Sequence, residues 1–169
     1  PLGVGVGWAT SAYVPETAVT LLIGVIGAAF AASMLLRKPV EGPPVKAKLG
    51  PGMFWGTITG FTSFVSHSGA PPYQVYTLPL RMEKLTFVGT ITIAFAVVNW
   101  VKLIPYYALR QLGAENVKTA VVLLIPAGIG VICGVRLIKI VPEKTFFAVV
   151  IWTLLLLSVK LIWDGIAGL

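Results

Sequence analysis

The sequence GFTSFVSHSGAPPYQVYTLPL, from Gly60 to Leu80, interrupts a chain that otherwise consists largely of long apolar runs. It contains the single histidine of the chain, His67, together with three serines and the adjacent prolines Pro71 and Pro72. Proline has no N–H and disfavours helical geometry in the residue before it, and Gly69 permits unusual backbone angles. The stretch therefore predicts a break in a helix.

The composition around this break is that of a membrane protein. Hydrophobic residues make up 57% of the chain and charged residues 11%, and the mean hydropathy is +0.91. Soluble domains carry roughly a quarter charged residues. Four apolar runs each approach the ~20 residues that cross a bilayer, namely Val19 to Leu36, Leu85 to Val101, Thr119 to Val135 and Phe146 to Val159. We expect an all-α polytopic membrane protein that is embedded in the lipid bilayer.

The net charge of +7 does not indicate a nucleic-acid-binding protein. The cations lie at the ends of the apolar runs and form no patch interleaved with aromatic residues. The single cysteine, Cys133, lies inside an apolar run and excludes disulfide frameworks and thiolate metal sites. We expect no metal, no cofactor and no nucleic-acid partner.

The break at residues 66–72 predicts a broken or re-entrant helix pair. The first half-helix should end near Val65 or Ser66, and the second should start near Pro72 and run to Leu80. Irregular backbone at membrane depth is tolerated only where it is buried in protein or lines a wet cavity. Such a break therefore indicates either a binding site or a buried turn.

The chemistry of the break favours an anion. The N-terminus of a helix that starts near Pro72 would offer unpaired N–H groups and a positive dipole end. Ser66 and Ser68 would add neutral donors, and His67 could donate, carry a charge or transfer a proton. The alternative is a loop that only turns the chain, with His67 as a buried donor whose hydrogen bonds are satisfied.

The next apolar run carries a stripe of small or polar residues at helical spacing: Gly89, Thr92, Ala96 and Asn99. This stripe could line a cavity, with Thr90 beside it, or could serve helix packing. Asn99 costs more to bury and is the better site candidate. Lys102 follows one turn later, where it could join the site or extend to the membrane interface.

Two short motifs repeat along the chain in the same order. PLGVGVG at residues 1–7 matches PAGIGVI at 126–132, and VPET at 14–17 matches VPEK at 141–144. We interpret 1–36 as a helical hairpin that ends a first repeat, 37–50 as a cytoplasmic linker and 51–169 as a second repeat. A counterpart of the His67 stretch is then expected in an N-terminal half outside this sequence.

The placement of cations leaves two topologies open. The linker is rich in Lys and Arg and should be cytoplasmic. If residues 50–80 return to that side, nine of the 13 Lys and Arg residues lie inside, whereas a full crossing places eight there. The return would also invert the two repeats relative to each other, a plan common among secondary transporters.

The stretch GFTSFVSHSGAPPYQVYTLPLRMEKLTFVGT and the later NWVKLIPYYALR resemble the sulfite exporter TauE/SafE family of membrane permeases. The resemblance runs from about Gly52 to Asp164, and residues 1–36 resemble the close of the family's first half. It implies a permease of two related halves that moves sulfite, sulfonates or other organic anions across the bacterial cytoplasmic membrane. The residues implied at its substrate site are the break (Ser66, His67, Ser68, Gly69, Pro71 and Pro72), with Arg81, Thr90, Asn99 and Lys102 nearby. Ala70 departs from the pattern, which has a second glycine there.

The sequence thus predicts a multi-pass exporter of small oxyanions, coupled to protons through His67. The alternative is a permease-like subunit that does not transport and packs against other membrane subunits. Intramembrane catalysis is disfavoured, because the adjacent Ser66, His67 and Ser68 do not readily place a nucleophile against its base. No carboxylate lies within the apolar runs to orient such a base. We therefore expect no enzyme activity.

Overall fold

The computed structural model describes residues 2–10, 13–36, 45–108 and 113–168. These residues form α-helices and one short 3₁₀ turn at Leu78–Leu80, and no strand occurs among them. The helices are α1 (Leu2–Thr10), α2 (Glu16–Leu36), α3 (Leu49–Val65), α4 (Ala70–Thr77), α5 (Lys84–Ala108), α6 (Ala114–Ile140) and α7 (Glu143–Ala167). The predicted all-α fold class is confirmed.

Four helices are long and apolar enough to cross a membrane: α2, α5, α7 and the part of α6 from Lys118 to Ile140. They coincide with the four apolar runs predicted from the sequence. Along α6 the described side chains are exposed over nearly the whole helix, which suits a surface that faces hydrocarbon and not water. The chain is a multi-pass membrane protein.

Helices α2 and α7 pack closely and run antiparallel. A Cβ added to Gly27 would lie 2.3 Å from Ser158 Oγ, and one added to Gly165 would lie 2.7 Å from Leu21 Cβ. Low residue numbers in α2 therefore meet high residue numbers in α7. Small residues are typical of such interfaces, because lipid offers no hydrophobic drive for association and close backbone approach provides the packing.

Helices α3 and α4 form a hairpin that returns to the end from which it started. A Cβ added to Gly69 would lie 3.0 Å from the Thr59 carbonyl oxygen, so the start of α4 packs on the later part of α3. At the other end of the hairpin, the Tyr76 hydroxyl donates to the Lys48 carbonyl at 3.0 Å. Of the two topologies that the sequence left open, the structure contains the return.

The tip of this hairpin lies at mid-depth in the bundle. A Cβ added to Gly27, near the middle of α2, would lie 3.2 Å from Pro71 Cβ. The ring of Phe95, near the middle of α5, would lie 3.1 Å from a Cβ added to Gly69. Two helices of spanning length thus place the break about halfway across.

Helix α1 covers the opposite side of α3. A Cβ added to Gly3 would lie 1.9 Å from the Thr57 carbonyl oxygen, so only glycine fits this contact. Val4, Phe64 and Val98 form a buried cluster that joins α1, α3 and α5. The hairpin is therefore held between α1, α2 and α5.

The element boundaries differ from the predicted domain boundaries in two places. Helix α3 begins at Leu49, inside the predicted linker 37–50, and residues 37–44 lie outside the described residues. The break is shorter than the predicted 66–72, because α4 begins at Ala70 and takes both prolines into its first turn. Proline is tolerated there, since first-turn N–H groups have no partner within the helix.

Candidate anion site at the helix break

The end of α3 is closed by a cluster of hydrogen bonds on one carbonyl. The Thr62 carbonyl accepts the backbone N–H of Ser66 at 3.0 Å and that of Ser68 at 3.2 Å. It also accepts the Ser66 hydroxyl at 3.2 Å, while the Ser68 hydroxyl donates to the Ser66 carbonyl at 2.9 Å. A hydroxyl has one proton to donate. Both serines therefore use that proton to close the break, and in this arrangement neither is the free donor expected from the sequence.

His67 reverses the chain direction at the break. Its φ of 53° lies in the left-handed region, where helices commonly end and where histidine is enriched among non-glycine residues. Its side chain is exposed, unlike the buried histidine considered as the alternative. The imidazole is thus accessible from outside the packed hairpin at mid-depth.

The start of α4 offers fewer backbone donors than predicted. The helix begins at Ala70, so Pro71 and Pro72 occupy its second and third positions and supply no N–H. The N–H of Tyr73 is already used, since it donates to the Gly69 carbonyl at 3.3 Å. Within the first turn only Ala70 retains a backbone N–H without an intrahelical acceptor.

A buried ammonium faces the break from α5. Lys102 is 6% exposed, and its Nζ donates to the Ser63 carbonyl and lies 3.2 Å from the Ser63 hydroxyl oxygen. Nζ also lies 5.6 Å from the ring centre of Tyr106, within the range of a cation–π contact. A cation at the C-terminus of a helix is favourable, because unpaired carbonyls give that end a partial negative charge. Lys102 therefore does not extend to the interface, and it contacts the hairpin instead.

A cavity of about 380 Å³ lies beneath the break, between α1, α3, α4 and α5. Its walls are mostly apolar, and its polar side chains are hydroxyls. The residues that line it are Leu2, Gly3, Met53, Gly56, Thr57, Thr59, Tyr73, Ala94, Val97 and Val98. It is an environment of low polarity that is partly open to the surface at Leu2 and Met53, and it lies next to the broken helix.

A family model matches residues 1–161, and its description is sulfite exporter TauE/SafE. The chain belongs to the TauE/SafE family. No curated protein and no solved structure gives a match to the chain. TauE/SafE membership indicates a membrane transporter of sulfite-like anions, and it agrees with a protein that is not an enzyme.

Three predicted site residues of the TauE/SafE chain do not meet at the break. Arg81 has φ 48° and lines a separate cavity of about 630 Å³ at the far end of α4, with Glu143 and Lys144. Thr90 and Asn99 are exposed on α5, and the Thr90 hydroxyl donates to the Thr86 carbonyl at 2.7 Å. The structure brings together Ser66, His67, Ser68, Gly69, Pro71, Pro72 and Lys102.

Sequence reasoning missed three residues that the TauE/SafE structure places at the break. The Ser63 carbonyl accepts a hydrogen bond from the Lys102 ammonium, and Thr59 and Tyr73 line the cavity. Thr59, Ser63 and Ser66 recur at helical spacing in an otherwise apolar segment. That polar stripe on α3 was the available signal.

Proposed function

We propose that this TauE/SafE chain is a secondary transporter that exports sulfite, sulfonates or related small oxyanions, with proton coupling through His67. One observation carries the proposal: a helix break at mid-depth with a buried ammonium, that of Lys102, bound to the Ser63 carbonyl in the last turn of α3. Discontinuous helices near the bilayer midplane are the usual substrate sites of secondary transporters. Ionisable residues in spans are rare and expensive, and they mark substrate and ion pathways.

The Lys102 ammonium supplies the positive charge that an anion needs at this depth. Its contacts to the Ser63 oxygens occupy part of its three-donor capacity. In a medium of low dielectric constant, its charge acts over a longer range than it would in water. An oxyanion that approached the break would therefore be attracted towards the last turn of α3, where the Lys102 ammonium lies.

His67 is the candidate for proton coupling. It is the single histidine of the chain, it lies in the break, and its side chain is exposed. Histidine gains and loses a proton near physiological pH. A protonated imidazole would add a second positive charge beside the break, and its deprotonation would weaken anion binding.

The charge distribution supports an orientation in the membrane. Lys48, Lys84 and Lys144 lie at the open end of the hairpin, where the Tyr76 hydroxyl meets the Lys48 carbonyl. At the same end, the Lys84 ammonium donates to the Val141 carbonyl at 2.7 Å. Because cytoplasmic segments carry the excess of Lys and Arg, we place this end in the cytoplasm of a bacterial cell.

Transport into liposomes tests the proposal directly. The purified chain is reconstituted with an imposed pH gradient, and uptake of radiolabelled sulfite is followed over time. We expect saturable uptake that collapses with a protonophore. His67→Ala should abolish the response to the pH gradient, and Lys102→Met should lower the rate about tenfold or more, since hydrogen bonds to charged groups contribute roughly 1.5–3 kcal/mol.

Lys160→Met is the matched control for Lys102→Met. Lys160 is exposed and pairs with Asp164 one turn away on α7, and exposed ion pairs contribute little. Its removal should leave the uptake rate unchanged. Equal rates in the wild type, the His67 variant and the Lys102 variant would remove the site assignment.

The alternative of a non-transporting subunit is favoured by one observation, the exposure of the described side chains along α6. Such a helix can face lipid or a further membrane segment. Purified chain that is folded in liposomes but transports no anion, and that regains transport with a second membrane component, would establish this alternative.

A further inference from the structure

The cavity beneath the break lies at the centre of the membrane-spanning region. Its α5 wall consists of Ala94, Val97 and Val98, which lie in the middle of the helix Lys84–Ala108. On the hairpin side it is bounded by Thr59 and Tyr73. The Thr59 carbonyl is in turn the group against which Gly69 packs. The cavity and the break are therefore adjacent.

Two hydroxyl groups on the cavity wall have no hydrogen-bond partner within the described ranges. Thr59 is 3% exposed and its Oγ1 is buried without a partner, and the Tyr73 hydroxyl oxygen is likewise buried and unpartnered. Leaving a buried hydroxyl unsatisfied is unfavourable, and most such groups in native structures have a partner. By contrast, the neighbouring Thr62 hydroxyl donates to the Ile58 carbonyl at 2.9 Å. The Thr59 hydroxyl on α3 and the Tyr73 hydroxyl on α4 thus differ from the Thr62 hydroxyl, which has a partner within its own helix.

We propose that the hydroxyls of Thr59 and Tyr73 bind the oxygens of the transported anion in this cavity. The inference rests on the proposed transport function and deepens it by assigning a binding site. Each hydroxyl can donate its proton to an oxyanion without breaking an existing hydrogen bond, which the hydroxyls of Ser66 and Ser68 cannot do.

Neutral donors suit a solute that must also leave. A site that holds an ion too firmly cannot release it, so transport requires binding that is favourable but weak. Hydrogen bonds from uncharged hydroxyls are weaker than those from charged donors. Lys102 would attract the anion to the break, and the two hydroxyls would hold it within the cavity.

The size and lining of the cavity indicate which anions fit. A volume of about 380 Å³ corresponds to roughly a dozen water molecules at about 30 Å³ each, so sulfite alone would fill only a part. Met53, Val97 and Val98 present apolar surface that a short alkyl group would bury. We therefore expect a sulfonate with a short alkyl chain to bind more tightly than sulfite.

The test removes each hydroxyl without changing the shape of the side chain. Thr59→Val and Tyr73→Phe are compared with Thr92→Val and Tyr107→Phe. Thr92 is exposed and its hydroxyl already donates to the Val88 carbonyl at 2.8 Å, and Tyr107 is 78% exposed. The KM and kcat for sulfite and propane-1-sulfonate uptake are measured in liposomes, and the thermal unfolding of each purified variant is followed with and without the sulfonate.

The two cavity variants should raise the KM about tenfold for both anions with little change in kcat, as expected for loss of a hydrogen bond to a charged group. They should also lose most of the upward shift in unfolding temperature that propane-1-sulfonate gives the wild type. The control variants should retain the wild-type KM and shift.

An unchanged KM and an unchanged shift in Thr59→Val and Tyr73→Phe would overturn the inference, while transport by the wild type would leave the proposed function standing. A wild type that transports nothing but is stabilised by sulfonate only when both hydroxyls are present would support the site and overturn transport by this chain. Neither transport nor stabilisation in the wild type would overturn both.

Discussion

At the scale of single residues, His67 combines a backbone role with a side-chain role. Its left-handed φ of 53° costs an ordinary residue roughly 1–2 kcal/mol, whereas glycine adopts it freely. We expect His67→Gly to unfold at a higher temperature than His67→Ala, by a difference of about 1 kcal/mol in unfolding free energy. Both variants should lose the response of sulfite uptake to the pH gradient. Thermal unfolding in detergent and uptake in liposomes measure the two roles separately.

These two variants control for each other. Both remove the imidazole, and only His67→Gly also relieves the strain of the left-handed φ at this position. If His67→Gly restored coupled transport that His67→Ala had lost, then turn geometry and not proton transfer would be the contribution of His67.

At the scale of helices, close packing at Gly27 sets the depth of the break. A Cβ at this position would lie 2.3 Å from Ser158 Oγ and 3.2 Å from Pro71 Cβ. Gly27→Val should therefore separate α2 from α7 and displace the start of α4. Overpacking of this kind costs typically 1–3 kcal/mol, and sulfite uptake should fall along with the unfolding temperature.

Gly130→Val provides the matched control for Gly27→Val. Nothing lies within 4 Å of a Cβ added to Gly130, so this substitution carries the same change in helix propensity without the steric conflict. Equal unfolding temperatures for the two variants would show that the α2–α7 contact is looser than the structure indicates.

The helices themselves could be predicted from the sequence, but the face that each one buries could not. Proline and glycine chemistry predicts a break after Val65, and the apolar runs predict α2, α5, α6 and α7. On α5, however, the small and polar stripe with Asn99 is exposed, while Phe95 and Val98 face the hairpin. In lipid both faces of a helix can be apolar, so hydrophobic periodicity does not show which face meets a neighbour.

The hydrogen bonds that the serines make at the break could not be predicted from the sequence either. The sequence predicts Ser66 and Ser68 as donors to the solute, but the hydroxyls of both donate to nearby carbonyls. Short polar side chains compete for backbone groups wherever a helix ends. The choice between backbone and ligand depends on local angles that residue types do not specify.

At the scale of the whole molecule, the antiparallel packing of α2 and α7 supports an inverted repeat. Val14 and Val141 begin equivalent motifs 127 residues apart. With that shift Gly27 corresponds to Leu154, and Ala31 corresponds to Ser158. Gly27 contacts Ser158, and Ala31 shares a buried cluster with Leu154. The shift of 127 residues therefore converts the pair Gly27 and Ser158 into the pair Leu154 and Ala31. A two-fold axis in the membrane plane would relate the two pairs in this way.

This symmetry predicts opposite accessibility for two equivalent carboxylates. Glu16 and Glu143 occupy matching positions in VPET and VPEK; both are exposed, and they lie in the first turns of α2 and α7. Because α2 and α7 run antiparallel, these first turns lie at opposite ends of the bundle. The test uses a Cys133→Ser background and a membrane-impermeant maleimide applied to whole spheroplasts. The maleimide should label Glu16→Cys directly, and it should label Glu143→Cys only after permeabilisation. The reason is that the end of the bundle that holds Lys48 and Lys144 is expected to face the cytoplasm. Labelling of both positions from the same side would contradict the inverted repeat, whereas labelling with the two sides exchanged would keep the repeat and reverse the orientation.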